Sequence, residues 1–260
     1  MLHEYPPLPE AELNAPITVG ELWMVVHHMK RGKAPGFDGI TNELFMVLPL
    51  FTEDDDDEDD ESLSNCGEGS DEGVGGGASG KLTDLGRVVY QMCQRLFQDG
   101  VIPDQYNVAT VVPVPKKGDL TDIDNYRGIS LINTTIKLVT KIVTDRLSSA
   151  LEKSGRLCGE QAGFRKFEET HSQITGLYEV LRRRQVQGLT SYVTFVDFAK
   201  AYDTVPHEAL FLKMEKIGVH GRMLAFFRAL YASSSLTVPG GTTRRVPLRR
   251  GVRQGCGVRR

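Results

Sequence analysis

The stretch TFVDFAKAYDTV, Thr194 to Val205, places one aspartate at the end of an apolar run and a second one short turn later. Asp197 follows YVTFV, and Asp203 closes KAYD. An ionised carboxylate at a strand end can point into a cleft and hold a hard cation. Mg²⁺ is usually bound by one or two carboxylates together with substrate phosphates. On this stretch alone the simpler reading is a carboxylate that caps the following turn through backbone N–H groups. Catalytic carboxylates seldom act alone, so the rest of the chain must supply partners.

The elements that would position Asp197 follow from hydrophobic spacing. Tyr192 to Phe198 is β-branched and aromatic, which predicts a strand with Val193, Phe195 and Asp197 on one face. Pro206 suits the first turn of a helix carrying Leu210, Met214 and Ile217. Leu224, Phe227 and Tyr231 predict one more helix, and a strand–turn–strand pair is expected over 235–249. Upstream, Thr18 and Glu21 have the spacing of a capping box, opening a helix that runs to about Lys30. RGKAPGFDGIT then reads as a loop. Leu85, Val88, Val89, Met92 and Leu96 predict a helix ending near Gly100. VATVVPVPKKGD reads as a strand running into a basic turn, its prolines suiting an edge or a strand end. Ile136, Val139, Val143, Leu147 and Ala150 predict a long helix stopped near Gly155. Ile174, Leu177, Tyr178 and Leu181 predict another, closing on Arg182, Arg183 and Arg184, which suit a helix C-terminus as well as they suit nucleic acid. Helices and strands mix without regular alternation, so the fold class expected is α+β.

The net charge of −3 is misleading, because nine consecutive acids run from Glu53 to Glu61. Between Glu53 and Gly80 there are twelve acids and no Lys or Arg, and without them the balance becomes +9. The basic remainder suits a polyanionic partner. The acidic run merges into Gly/Ser-rich sequence with almost no aliphatic side chains. Nothing there offsets the entropy of ordering, so 52–80 is expected to be a disordered insertion. Cys66, Cys93, Cys158 and Cys256 form no CxxC pair, which argues against a zinc cluster or a disulfide framework. No basic start leads an apolar core at the N-terminus, and no apolar run approaches the roughly 20 residues that span a bilayer. An intracellular chain, in cytoplasm or nucleus and off the membrane, is expected.

Five segments in order then change the weight given to Asp197: VPVPKKGD, NYRGISLINTTIKLVTKIVTDRL, GEQAGFRK, FVDFAKAYDTVPHEAL and RRGVRQGC. Together they resemble the fingers and palm of a reverse transcriptase of the non-LTR, LINE-like retrotransposon class. RGKAPGFDGIT resembles the loop that precedes the fingers in that class. The resemblance implies a right-hand polymerase fold: an N-terminal extension over 1–51, fingers over 81–190 and a partial palm over 191–260. It implies that Asp197 is the first metal-binding aspartate of a two-Mg²⁺ site, with the Phe198 carbonyl as a neighbouring ligand. Tyr202 matches the aromatic gate under the nucleotide sugar. Lys116 and Arg127 match basic positions that approach the incoming triphosphate, the guanidinium by forked contact and the ammonium as a point charge. Gln254 and Gly255 match a motif lining the nucleotide and template site, and Arg165 matches a weaker template contact. The partners implied are an RNA template, a DNA primer and a dNTP.

The sequence departs from the family in two places. Gly128 stands where the family usually has proline, and after RQGC the chain reads GVRR, without the later hairpin that carries the other catalytic aspartates. The DDDD at 54–57 lies on the wrong side of the fingers to replace it. A chain truncated in this way is expected to be inactive alone. Two other readings stay open: a non-catalytic nucleic-acid-binding remnant, using the seven arginines between Gly240 and Arg260, and a degenerate gene product.

Overall fold

The computed structural model describes residues 7–52, 81–165, 168–238 and 245–252. The expected disorder of 52–80 falls almost wholly outside these residues, as do Gln254 and Gly255. The fold is mixed α+β, with a small sheet and eight α-helices among the described residues.

Its core is built around one helix, α5 (Thr134–Lys153). Ile136, Leu138, Val139, Ile142 and Val143 recur at helical spacing and are all buried. They pack with α2 (Val19–His27), through Leu22, Val25 and Val26, and with α4 (Asp84–Gln98), through Val89, Cys93, Leu96 and Phe97. Burial among these apolar side chains pushes the Cys93 thiol up to about 12, so it packs as an inert small hydrophobe. On the far side of α4 lies α8 (Gly221–Ala232), where Phe226 meets Phe97 edge to face with centroids 5.9 Å apart. Next to α8 packs α7 (His207–Lys216), with Pro206 at its N-cap, one residue before the first turn.

The N-terminal segment belongs to this same core. Leu8, Leu13 and Ile17 are buried in it, and a short helix α1 (Glu10–Leu13) lies against α5. The capping box at Thr18 is formed in full and opens α2, which ends at His27. Its Glu21 also pairs with Arg146 of α5, and that guanidinium donates to the carbonyls of Ala15 (2.6 Å) and Pro16 (2.8 Å). Burial works to raise the Glu21 pKa. Hydrogen bonds from the Arg146 guanidinium and Thr18 outweigh it, so the carboxyl sits below its ordinary range. A depressed carboxyl contributes stability that is present above its unfolded pKa and lost as pH falls through the folded value. Glu21→Gln is therefore expected to cost about 1–3 kcal/mol at pH 7. The gap from the parent chain should close as denaturant unfolding is repeated towards pH 3; a constant gap would refute the pairing.

The sheet runs in the order β2-β1-β3-β4. β1 (Val108–Pro115) and β2 (Tyr126–Ile132) form a long antiparallel hairpin. β3 (Ser235–Thr237) adds in parallel at Val108 to Thr110 only, and β4 (Val246–Pro247) pairs antiparallel with β3. Pro113 and Pro115 therefore lie beyond the end of β3, where among the described residues β1 has a neighbour on one side only and a missing N–H is tolerated. The expected strand–turn–strand pair is present in β3 and β4, while 239–244 lie outside the described residues.

One expectation is overturned. Residues 192–198, the most β-prone stretch of the sequence, pair with no strand among the described residues. Strand propensity measures how well side chains fit a pleated surface between neighbours, and here no neighbour is described. Tyr192, Phe195, Val196 and Phe198 are largely exposed, and no side chain of the preceding α6 (Thr170–Val186) is buried. Arg184 ties helix and segment together, donating to Ser191 Oγ (2.8 Å) and the Thr190 carbonyl (2.9 Å). Arg183 pairs with Glu179.

Candidate active site

A hairpin tip, a turn and two loops surround the candidate residues. The tip, residues 116–125, is internally bonded. The Asp119 carboxylate accepts from the Thr121 N–H (2.9 Å) and hydroxyl (2.8 Å), and the Asn125 amide donates to the Asp119 carbonyl (2.7 Å). Gly118 has φ +133, a conformation that L side chains rarely adopt, and a Cβ there would crowd Asn125. Lys116 follows β1; its N–H donates to the Asn125 carbonyl (2.7 Å) and its ammonium to the Asp124 carbonyl (3.0 Å). Arg127 lies on β2 opposite Val114, with an exposed side chain.

The turn after Asp197 is fixed from three sides. Within it, the Asp203 N–H donates to the Lys200 carbonyl (2.9 Å). From the C-terminal side, the Val252 N–H donates to the Tyr202 carbonyl and the Gly251 N–H to the Val205 carbonyl, both at 2.8 Å. Gly251 has φ +90, and a Cβ would stand 2.9 Å from the Asp203 carbonyl, so only glycine lets the two backbones approach. A ring nitrogen of His207 donates to the Gly251 carbonyl (2.9 Å). From a second side, Phe164 meets Tyr202 edge to face at 6.3 Å. From the third, Lys200 Nζ reaches Asp124 Oδ1 on the hairpin tip at 3.0 Å.

Phe164 and Lys200 are the two non-glycine residues with left-handed backbone among those described, at φ 65 and φ 49. Each conformation costs on the order of 1–2 kcal/mol, and such residues cluster at sites where geometry matters. Both border Tyr202. The hydrogen bond and charge of Lys200 hold the Asp124 carboxyl below its usual range, and Asp124 raises Lys200 in turn.

Asp197 and Phe198 lie at the end of the unpaired segment, both exposed. The Lys200–Asp124 pair ties their turn to the tip of the hairpin that carries Lys116 and Arg127. No group of three His, Cys, Asp or Glu side chains that could hold a metal ion exists among the described residues. Arg165 forms a two-bond fork to Glu152 of α5 (3.1 and 2.8 Å), which ties the loop bearing Phe164 to that helix. Sequence reasoning missed Asp124, Lys200 and Phe164. The first two are separated by 76 residues, so no local spacing signals the pair.

A groove of about 540 Å³ lies between α7, α8 and the β3–β4 pair, but none of the candidate residues lines it. Its Arg228 is engaged by Glu215 (2.9 Å) and Glu208 (3.6 Å).

Residues 114–258 match the reverse transcriptase (RNA-dependent DNA polymerase) family, and they make up more than half of the chain. The chain belongs to the reverse transcriptase family. Its relatives place it in the non-LTR retrotransposon class. It is 27% identical over 94% of its length to the transposon TX1 uncharacterized 149 kDa protein of Xenopus laevis, covering 16% of that protein. It is 28% identical over 60% of its length to a Pol polyprotein from the type-1 retrotransposable element R2 of Popillia japonica, covering 22%. It is 27% identical over 78% of its length to a probable RNA-directed DNA polymerase from transposon BS of Drosophila melanogaster, covering 19%. The chain thus spans about a fifth or less of the length of these curated relatives. Reverse transcriptases bind template, primer and nucleotides and generally work with a divalent metal. No described helix is long and apolar enough to cross a membrane.

The exposed apolar side chains at 192–198 have a practical consequence. An extended, β-prone edge without a partner is a template for association. Phe195→Lys is expected to reduce light scattering of the concentrated chain without lowering its thermal midpoint. Unchanged scattering would locate association elsewhere.

Proposed function

We propose that residues 81–190 form the fingers and residues 191–260 the opening part of the palm of an RNA-directed DNA polymerase. The observation that carries this reading is the seating of the hairpin bearing Lys116 and Arg127 against the turn that follows Asp197. In it, the Lys116 ammonium and the Arg127 guanidinium contact the triphosphate of a dNTP, and charge-assisted bonds to phosphate suit both groups. The Tyr202 ring, backed by Phe164, forms the floor beneath the sugar and leaves no room for a 2′-hydroxyl. Gln254 and Gly255 lie outside the described residues, and their assignment to the nucleotide and template site rests on the motif alone.

Mg²⁺, when bound, supplies a charge clamp on the attacking and leaving oxygens of nucleotidyl transfer. Asp197 and the Phe198 carbonyl are its first two oxygen donors in this reading. The ion takes about six, so this donor set does not by itself fit a two-metal site. The isolated chain is accordingly expected to hold nucleic acid without extending a primer.

Primer extension on an RNA template, with Mg²⁺ or Mn²⁺, tests the second half of that statement. Incorporation that Asp197→Ala abolishes would overturn it. The first half is tested by binding to an RNA–DNA hybrid between about 50 and 200 mM salt. Phosphate contacts from Arg245, Arg249, Arg250 and their neighbours predict an affinity that falls roughly tenfold or more over this range. Affinity indifferent to salt would count against a polymerase and against a nucleic-acid-binding remnant alike.

A further inference from the structure

A pair of side chains joins the hairpin tip to the turn after Asp197. Asp124 Oδ1 accepts from Lys200 Nζ at 3.0 Å, across 76 residues of sequence. Each partner is aimed by its own surroundings. The Asp124 N–H donates to the Asp122 carboxylate (2.9 Å), and its carbonyl holds the Lys116 ammonium (3.0 Å). Lys200 adopts a left-handed backbone, and its carbonyl accepts from the Asp203 N–H, which closes the turn. The tip is bonded within itself through Asp119, Thr121 and Asn125, and Lys116 is tied into it by its bonds to Asn125 and Asp124.

We propose that Asp124 and Lys200 are positioning residues: their ion pair seats the β1–β2 tip on the turn after Asp197 and so fixes where Lys116 stands over that turn. Both side chains are well exposed, at 77% and 65%. A pair so exposed is weak and screened by salt, and such a contact can open and close readily. The link to nucleotide binding rests on the assignment of Lys116 as a triphosphate contact; the seating itself does not.

The experiment therefore has two readouts on the full chain. Spin labels go on Leu120→Cys at the tip and Leu212→Cys on α7, both exposed, with Cys66, Cys158 and Cys256 replaced by serine and buried Cys93 kept. Lys200→Gln and Asp124→Asn are expected to raise the unseated, longer-distance population roughly two- to fivefold relative to the seated one. Lys200→Arg keeps the charge and should restore the parent distribution, and raising salt should move the parent towards the variants. An identical distance distribution in Lys200→Gln overturns the proposal. The second readout is dNTP affinity with Mg²⁺, expected to weaken by the same factor and to recover in Lys200→Arg. A distance change without any change in affinity supports the seating and overturns the triphosphate role of Lys116 instead.

Discussion

Asp197→Asn is expected to lower nucleotide incorporation on the order of 10³-fold or more, with the fold intact, when measured within an active polymerase. The measurement uses a chimera in which residues 114–258 replace the matching segment of an active member of the family. The structure allows this loss to be separated from unfolding. Asp197 lies in an exposed, unpaired stretch, and exposed substitutions of this kind usually change stability by less than about 0.5 kcal/mol. Asn keeps the shape and removes the charge. The thermal midpoint should therefore stay where it was while incorporation collapses. A variant that retains more than about a tenth of the parent rate would remove Asp197 from the chemistry, given that losing even one oxyanion-type contact costs roughly 10²-fold. The turn-capping reading of the same carboxylate predicts the reverse pattern, a lower midpoint with activity kept in proportion to folded protein.

What could be read in advance depended on how local each cause is. The α2 capping box needs Thr18 and Glu21 only, three residues apart, and it is formed in full. The helices over 84–98 and 134–153 follow from apolar spacing and end at Gly100 and Gly155, both with positive φ, as a helix-stopping glycine should. Residues 192–198 do not form the expected strand because a strand exists through its neighbours, and β-branched sequence states only a preference for having them. The motifs name candidate residues one by one but say nothing of how they are arranged. Asp197, Tyr202, Lys116 and Arg127 could be named from their motifs. The contacts that relate them, from Phe164 to Tyr202, Lys200 to Asp124 and Gly251 to Asp203, are long-range and carry no periodic signal.

The loop RGKAPGFDGIT illustrates the same limit, and it carries the second large effect expected here. Its glycines read as turn residues, yet Gly36 has an ordinary negative-φ or extended backbone and its role is steric. A Cβ at this position would lie 2.5 Å from the Asn133 nitrogen and 2.6 Å from both the Asn133 Cα and the Ile132 carbonyl carbon. All three are backbone atoms at the junction of β2 and α5, where Ile132, Asn133 and Thr134 are buried and cannot step aside. Nearby, the Thr134 hydroxyl donates to the Ile40 carbonyl (2.6 Å), which closes the loop onto the same junction. Gly36→Ala is therefore expected to cost about 2–4 kcal/mol through overpacking against rigid backbone, lowering the thermal midpoint by about 5–10 °C. Gly39→Ala, three residues on, meets open space but has φ +71, so it should cost only about 1 kcal/mol of backbone strain. The order of the two distinguishes close approach from turn conformation, and Gly39→Ala proving the more damaging would refute the steric argument. Because β2 runs from Arg127 into this junction, a shift at Ile132 also displaces the hairpin. Gly36→Ala should then weaken nucleotide binding at temperatures where the chain is still folded, an effect Gly39→Ala should not share.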